Sequence, residues 1–142
     1  ELSWLGGEAV DQHNDTIEKM AAKHDVDPDI VRSIMWAENA RGHKLGLNNL
    51  ADMIGFSDSP LPMNINKETG AKLLSVEAKE LYTPEMNIEA STIMLKRIID
   101  RVEDPKDVSK IGSIWNFTGR EQTNDFGEYT GRIYEEKPWS KR

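Results

Sequence analysis

Hydrophobic positions along the chain recur mostly three or four residues apart, which is the spacing of one buried face of an α-helix. The predicted helix starts are marked by Asp, Asn or Thr, in three cases with Pro directly after, and several ends are marked by Gly or by a following Pro. The predicted helices cover residues 8–24, 28–38, 67–76, 84–102, 105 to at least 115, and 126–136. The fold class that this pattern predicts is mainly α.

The helical pattern is interrupted between Arg41 and Pro62, where Gly, Asn, Asp, Ser and Pro separate short apolar pieces. Such a composition predicts a loop region, either irregular throughout or with a small β-hairpin. The chain has 142 residues without an internal repeat or a low-complexity tract, a length that suits one domain with its own core. We therefore expect one mainly α domain over residues 1–142, with a loop-rich insert after the second helix.

The second predicted helix carries a carboxylate where an apolar side chain is expected. Asp27 is the predicted N-cap of this helix, and Gly42 is its predicted terminator. Ile30, Ile34 and Glu38 follow one another at steps of four, so they share one row of the helix surface. The sequence therefore predicts that Glu38 faces the interior near the end of the helix.

A glutamate in that position experiences two effects of the same sign. Burial disfavours its charged form, and the negative end of the helix dipole disfavours that form further, so both raise its pKa. A carboxylic acid that keeps its proton near neutral pH can act as a general acid. The alternative interpretation is an ordinary exposed glutamate just beyond the core stripe.

Composition and motifs exclude several classes of function. The formal net charge is −7, from 25 acidic and 18 basic residues, so a basic face for nucleic acid is not expected. No apolar run is long enough to span a membrane. Cysteine is absent, the three histidines lack a metal-binding spacing, and no nucleotide-binding or nucleophilic-serine motif occurs, so neither a metal nor a cofactor is predicted. Four tryptophans are available for stacking on sugars or for core packing.

Five short blocks of sequence carry a family resemblance. They are Val26–Glu38, Leu61–Ile65, Tyr82–Ala90, Ile114–Gly119 and Asp125–Ile133. In this order they resemble the soluble lytic transglycosylase and goose-type lysozyme group of peptidoglycan-cleaving enzymes. The first block is similar to that family's helix before its catalytic glutamate. The others are similar to its Gly-Leu-Met-Gln-Ile, Asp-Pro-x-x-Asn-Ile-x-Ala, Ala-Tyr-Asn-Ala-Gly and Glu-Thr-x-x-Tyr-Val-x-x-Val segments.

The resemblance implies a lysozyme-like fold in which the insert forms one wall of a glycan-binding cleft. It implies cleavage of the β-1,4 bond between N-acetylmuramic acid and N-acetylglucosamine, with Glu38 as general acid. It also implies substrate-binding roles for Met63, Asn64, Trp115, Asn116 and Tyr129. For Met63 and Trp115, simple core packing is the alternative.

The chain departs from the family's pattern at two positions that concern the reaction. Asn39 stands where the family usually has serine, and Asn64 where it has glutamine. These changes slightly favour hydrolysis, as in a muramidase, over lytic transglycosylation, in which one glutamate serves as acid and base and 1,6-anhydro ends form. A hydrolase with a second carboxylate would take it from the insert, where Asp52 and Asp58 are the candidates and an ordinary turn or loop role is the alternative. A further alternative is a non-catalytic module that keeps the same fold to bind the wall or another protein.

The chain begins Glu1-Leu2-Ser3-Trp4, so we expect a catalytic domain excised from a longer protein. The resemblance implies action in the periplasm or at the cell wall, after secretion or delivery. Peptidoglycan glycan strands are the expected partner. An antibacterial effector or phage lysin fits this setting, and an effector would add an immunity or inhibitor protein as a candidate partner.

Overall fold

The computed structural model describes residues 6–44 and 58–141. These residues are mainly α-helical, which confirms the predicted fold class. Their α-helices are α1 (Gly7–Gln12), α2 (Asn14–His24), α3 (Pro28–Lys44), α4 (Lys67–Leu74), α5 (Pro84–Arg101), α6 (Val108–Asn116) and α7 (Asp125–Glu136). Two short 3₁₀ helices, Ala78–Tyr82 and Pro138–Lys141, follow α4 and α7. The β-hairpin alternative for the insert falls largely on residues outside the described ranges.

The capping residues predicted from the sequence begin several of these helices. Asp27 Oδ1 accepts a hydrogen bond from the Asp29 amide at 2.9 Å, as expected of an N-cap. Asn66 caps α4 by accepting from the amides of Glu68 and Thr69, each at 3.0 Å. Pro84 opens α5, where its missing amide hydrogen is not needed. These starts are local in origin, and the sequence predicted them correctly.

The predicted end of the second helix is wrong. Helix α3 continues through Gly42 to Lys44, six residues beyond Glu38. A glycine inside a helix costs only about 1 kcal/mol relative to alanine, so tertiary contacts can override it. Arg41, which directly precedes Gly42, makes such contacts with α6 and α7. The extension matters for the site, because it puts Arg41 on the same helix as Glu38.

Two other helix boundaries differ from the prediction. The first helix is divided at His13, whose backbone leaves the helical conformation, and on its far side Asn14 accepts two hydrogen bonds from buried Arg32. Helix α6 begins at Val108 and not at the Asp-Pro pair before it, because Asp104 Oδ1 instead accepts from the Lys106 amide to form a turn. At α6 the helix start is capped by Asp107, whose side chain accepts from the Lys110 amide at 3.1 Å.

The core consists of two packed clusters of different size. The larger cluster joins residues of α1, α2, α3, α5, α6 and α7, and fully buried Trp36, Ile34 and Leu95 belong to it. The smaller cluster surrounds α4 and contains Ile65 and Leu81. Met94 of α5 and Trp115 of α6 pack against both clusters, so they mark the boundary between them.

Helices α6 and α7 approach each other closely through small residues. A Cβ atom added at Gly127 of α7 would lie 1.8 Å from Ser113 Oγ and 2.2 Å from the Ser109 carbonyl oxygen of α6. No side chain fits at such a distance, so a glycine is required there. The close packing fixes the position of α6, which carries Trp115 and Asn116 at its C-terminal end.

Candidate active site

Helix α3 carries the candidate acid on its buried face. Ile30, Ile34 and Glu38 are 4%, 0% and 3% exposed, so the row predicted from the sequence is buried along its whole length. The Glu38 side chain ends at a cavity of about 310 Å³ that lies at the boundary between the two core clusters. A volume of this size is at the lower end of the range for small-molecule sites.

Both carboxylate oxygens of Glu38 accept hydrogen bonds. Arg41, one turn later on α3, forms an ion pair with Glu38 through its Nη2 and the carboxylate Oε1. The indole Nε1 of Trp115 donates to the other oxygen, Oε2, at 2.9 Å. Because Trp115 belongs to α6, the carboxylate joins two helices. A charged group this deeply buried is stable only with partners of this kind.

The pKa of Glu38 is raised above the ordinary value for a glutamate, because burial disfavours the charged carboxylate. The charge of Arg41 acts in the opposite direction, as do the hydrogen bonds from Trp115 and Arg41. The loss of water outweighs these contributions. The site therefore holds a carboxyl group whose protonation depends on how its neighbours are arranged, which is a property of general acids.

Arg41 is the centre of a second set of contacts. Its Nη1 donates to Asn116 Oδ1 at 2.6 Å, and its guanidinium carbon lies 4.6 Å from the ring centroid of Phe126. The guanidinium thus touches α3, α6 and α7 at once. Its side chain is nevertheless 37% exposed and lines the cavity.

Asn64 completes the immediate surroundings of the Glu38–Arg41 pair. Its amide bonds best with the nitrogen toward the Ser59 carbonyl oxygen, at 2.7 Å, and the oxygen toward Arg41 Nη2, at 3.3 Å. In the opposite orientation the amide nitrogen lies 3.5 Å from Glu38 Oε1, which is long for a hydrogen bond. We favour the first orientation because it satisfies both ends of the amide. The backbone of Asn64 has a φ of 59°, a left-handed conformation that asparagine tolerates better than most residues.

Two buried asparagines hold the segment that presents Asn64. The side-chain nitrogen of Asn39 donates to the Pro62 carbonyl oxygen at 2.7 Å. Asn87 of α5 accepts from the Met63 amide at 3.0 Å and donates to the Pro60 carbonyl oxygen at 2.8 Å. These amides satisfy backbone groups that have no helix or sheet partner, and they fix residues 60–63 against α3 and α5.

The described lining of the cavity is rich in amide and hydroxyl groups. Six residues contribute them: Ser59, Asn64, Asn66, Thr69, Asn116 and Thr118. Glu38 and Arg41 are the charged residues of this lining, and their charges are opposite. The cavity therefore suits a ligand that carries many hydroxyl and amide groups.

The structure brings together four of the residues singled out from the sequence: Glu38, Asn64, Trp115 and Asn116. Met63 is elsewhere, because its side chain is fully buried in the larger core cluster. Tyr129 is half-buried and packs against the same cluster. Their proposed substrate contacts stay predictions.

The two candidate second carboxylates are less favourably placed or outside the described ranges. The Asp58 side chain is 89% exposed and lies 3.8 Å from Lys67 Nζ, so the two residues form an ion pair at the surface. Its backbone carbonyl accepts from the Lys67 amide at 2.8 Å, which makes it part of the turn before α4. Asp58 is not among the residues that line the cavity. Asp52 lies outside the described residues.

Sequence reasoning did not single out Arg41 or Asn87, and it noted Asn39 only as a departure from the family's serine. With the helix predicted to end near Glu38, Arg41 would lie in the loop, whereas a helix extended by one turn would have shown the i,i+3 pairing. The roles of Asn39 and Asn87 depend on contacts 23 and 24 residues away, for which a single sequence gives no signal. Phe117, beside the cavity residues Asn116 and Thr118, is the exposed large hydrophobic residue of the described chain at 52%.

Comparisons of the chain with protein-family models, curated proteins and solved structures found no match. Within residues 6–44 and 58–141, no helix is both long and apolar enough to cross a membrane.

Proposed function

We propose that this protein cleaves the glycan strands of peptidoglycan, at the β-1,4 bond between N-acetylmuramic acid and N-acetylglucosamine, and that it has a lysozyme-like fold. The observation that supports this most is Glu38, a buried carboxyl group with a raised pKa at the edge of a cavity. The amides and hydroxyls of the described lining fit the hydroxyl and acetamido groups of such a strand. The five sequence blocks that resemble peptidoglycan-cleaving enzymes support the same proposal.

In this proposal Glu38 acts as the general acid. Glycosidic cleavage requires a proton for the leaving oxygen and stabilisation of the oxocarbenium-like centre that develops on the sugar. Glu38 supplies the proton, and the Trp115 indole holds its carboxyl group in one orientation through the 2.9 Å bond to Oε2. Asn64 and Asn116, which both line the cavity and both accept a hydrogen bond from Arg41, bind the sugar's polar groups.

The direct test is the substitution Glu38→Gln. Glutamine has nearly the same shape but cannot donate the catalytic proton, so we expect the rate of cell-wall clearing to fall by about 10²–10⁴-fold. Glu89→Gln is the control: Glu89 is also a helical glutamate in an ion pair, but it is only partly buried, lies on α5 and pairs with Lys23. Wild-type clearing by a folded Glu38→Gln variant would refute the proposal.

Whether the reaction is hydrolysis depends on whether a second carboxylate activates a water molecule. If Asp52 or Asp58 activates water, digestion leaves reducing muramic acid ends, and the corresponding Asp→Asn change lowers activity almost as much as Glu38→Gln. If Glu38 acts alone, as in a transglycosylase, the products carry 1,6-anhydro ends and weigh one water less. Mass spectrometry of the digest distinguishes the two reactions.

Transglycosylation is a second candidate because of one observation. Among the residues that the structure describes around the cavity, Glu38 is the only carboxylate, since Asp58 is turned to solvent in an ion pair with Lys67. Hydrolysis through an aspartate would therefore require Asp52. An Asp52→Asn variant that releases wild-type amounts of reducing ends would exclude that route.

A binding module without catalysis predicts a different result. Such a protein would sediment with purified wall but release no fragments, and Glu38→Gln would leave sedimentation unchanged. Measuring sedimentation and fragment release on the same samples therefore distinguishes an enzyme from a binding module.

A further inference from the structure

The observed arrangement of Glu38 describes its charged form. Arg41 Nη2 donates to Oε1 and Trp115 Nε1 donates to Oε2, so both carboxylate oxygens act as acceptors. A guanidinium carries only donors and cannot accept a bond from a protonated carboxyl group. A protonated Oε1 accepts a hydrogen bond from Arg41 less strongly than a carboxylate oxygen does, so the Arg41 contact on Oε1 favours the charged form of Glu38.

General-acid catalysis requires a protonated oxygen that points at the substrate. Trp115 is partly buried between the two core clusters and holds Oε2, so Oε1 is the oxygen that faces Arg41 and the cavity. Loss of the Arg41 contact on Oε1 would therefore make it easier for that oxygen to carry the catalytic proton. The contact between Arg41 and Glu38 thus favours the charged, inactive form of the proposed acid.

The Arg41 side chain is exposed enough to move, and it has other contacts that would keep it near the cavity. Its side chain is 37% exposed, whereas Glu38 is almost completely buried. After leaving Glu38, it would still have the amide oxygen of Asn116 and the ring of Phe126, both of which it already contacts. A new anion close to these groups could therefore take the place of Glu38.

Arg41 is a positively charged residue in the cavity of an acidic protein. The chain has a net charge of −7, yet among the described residues that line the cavity the one cation is Arg41. An arginine fork matches the two oxygens of a carboxylate better than any other side chain does. An uncharged glycan would not need such a group at the scissile bond, whereas a glycan with an acidic substituent would.

We propose that Arg41 binds a carboxylate carried by the substrate strand, and that this exchange of partners releases Glu38 for protonation. This inference rests on the proposed function and deepens it by naming the acidic substituent as the recognised feature. The carboxylate is either the lactyl group of a peptide-free muramic acid or a carboxylate of the stem peptide. In the exchange Arg41 stays charged, Glu38 takes up one proton from water, and no other bond is made or broken.

The test compares glycan strands that differ only in charge. Peptide-stripped strands with a lactyl carboxylate and intact peptide-bearing strands are each assayed before and after their carboxylates are converted to methylamides. We expect the wild type to cleave the native strands with a kcat/KM about 10- to 100-fold above that for the amidated strands, as expected for loss of a charge-assisted hydrogen bond. The native strand with the larger preference identifies which carboxylate is bound.

The variant Arg41→Gln tests whether the preference for native strands depends on Arg41. We expect the ratio of kcat/KM for native over amidated strands to fall toward one in this variant, because neither kind of strand can then use Arg41. Arg41→Lys should recover part of the preference, because it retains the charge but not the fork. The control is Arg120→Gln, since Arg120 also lies over an aromatic ring, 5.0 Å from the centroid of Phe117, but does not line the cavity.

Two results would overturn the inference. One is a wild type that cleaves native and amidated strands equally well, and the other is an Arg41→Gln variant that loses the same factor on both. If the wild type cleaves no strand at all, or if Glu38→Gln remains fully active, the proposed function itself fails and this inference fails with it. If native and amidated strands are cleaved equally well but Glu38→Gln is inactive, the inference about Arg41 fails and the proposed function stands.

Discussion

Glu38 is subject to opposing influences from a small number of groups. Burial raises its pKa, while Arg41 and Trp115 lower it by charge or hydrogen bonding. Because the charged partner Arg41 is partly exposed, it is the one contribution that a ligand or a substitution can remove without rebuilding the core. The protonation of the carboxyl group therefore responds to the position of one guanidinium, although burial is the larger influence.

The raised pKa has a consequence for stability as well as for catalysis. Above about pH 4.5, the ordinary value for a glutamate, the unfolded chain loses the Glu38 proton while the folded protein keeps it. The unfolded state then binds fewer protons, so the free energy of unfolding falls as pH rises, by about 1.4 kcal/mol per pH unit between the two pKa values. Above the folded pKa this contribution is constant.

We therefore expect Glu38→Gln to gain stability relative to the wild type as pH rises from 4 to 7. Glutamine has no charged form, so the variant lacks this part of the pH dependence. Urea unfolding of both proteins at pH 4, 5, 6 and 7 measures the difference. A difference that does not change with pH would mean that the pKa of Glu38 is not raised in the folded protein.

At the scale of the helices, the site depends on the close packing of α6 against α7. Gly127 permits this approach, and α6 in turn carries Trp115 and Asn116 to the cavity. The packing contact is at the N-terminal and central part of α6, away from the cavity end. A change in helix separation there would be transmitted to Glu38 through the Trp115 bond.

The variant Gly127→Ala tests this dependence. Its methyl group would lie 2.2 Å from a backbone oxygen of α6, so the helices must separate, and we expect a loss of about 1–3 kcal/mol in the free energy of unfolding. Gly119→Ala is the control, because its methyl group would meet only Phe117 at an ordinary 3.7 Å. Chemical denaturation of both variants measures the effect, and equal stabilities would show that the contact is not tight in solution.

The elements that the sequence predicted correctly are those with local causes. Asn66, Pro84 and the Ile30–Glu38 row act within a few residues of themselves, so their effect is visible in the pattern. The continuation of α3 through Gly42 depends on contacts that Arg41 makes 75 and 85 residues away. A glycine that follows a helical pattern predicts a terminator only when no such contact opposes it.

The same division applies to the candidate site. The row through Glu38 predicted a buried carboxyl group, and the cavity lining includes Trp115, Asn64 and Asn116 as well. Arg41 was missed because its role follows from the helix extension. Asn87 stood within a resembling block, but its three hydrogen bonds to residues 60, 63 and 81 become visible only once the chain is folded.

At the scale of the whole molecule, the net charge of the protein is opposite in sign to the charge of Arg41 in the cavity. The net charge of −7 would repel an anionic wall, whereas in our proposal Arg41 in the cavity binds a carboxylate. Repulsion between distant exposed charges is screened within a Debye length, which falls from about 30 Å at 0.01 M to about 8 Å at 0.15 M salt. A partly buried contact is screened much less.

We expect the initial rate of wall clearing to rise severalfold between 0.01 and 0.15 M sodium chloride. The added salt removes the long-range repulsion and leaves the short-range contacts largely intact. The measurement is turbidity loss of a wall suspension at constant pH, with soluble short strands as a control on which salt should have less effect. A steep fall in rate with salt would indicate that binding depends on exposed positive charge instead.

The hydrogen bond between Trp115 and Glu38 also provides an intrinsic fluorescent probe of the site. The emission of an indole depends on charges close to its ring, and the Trp115 nitrogen lies 2.9 Å from a carboxylate oxygen. Trp36 and Trp139 lie with their ring centroids 6.4 Å apart, and Trp36 is fully buried in the larger cluster. In a variant that keeps Trp115 as its single tryptophan, fluorescence would follow the proton on Glu38 and the arrival of a sugar in real time, without any label.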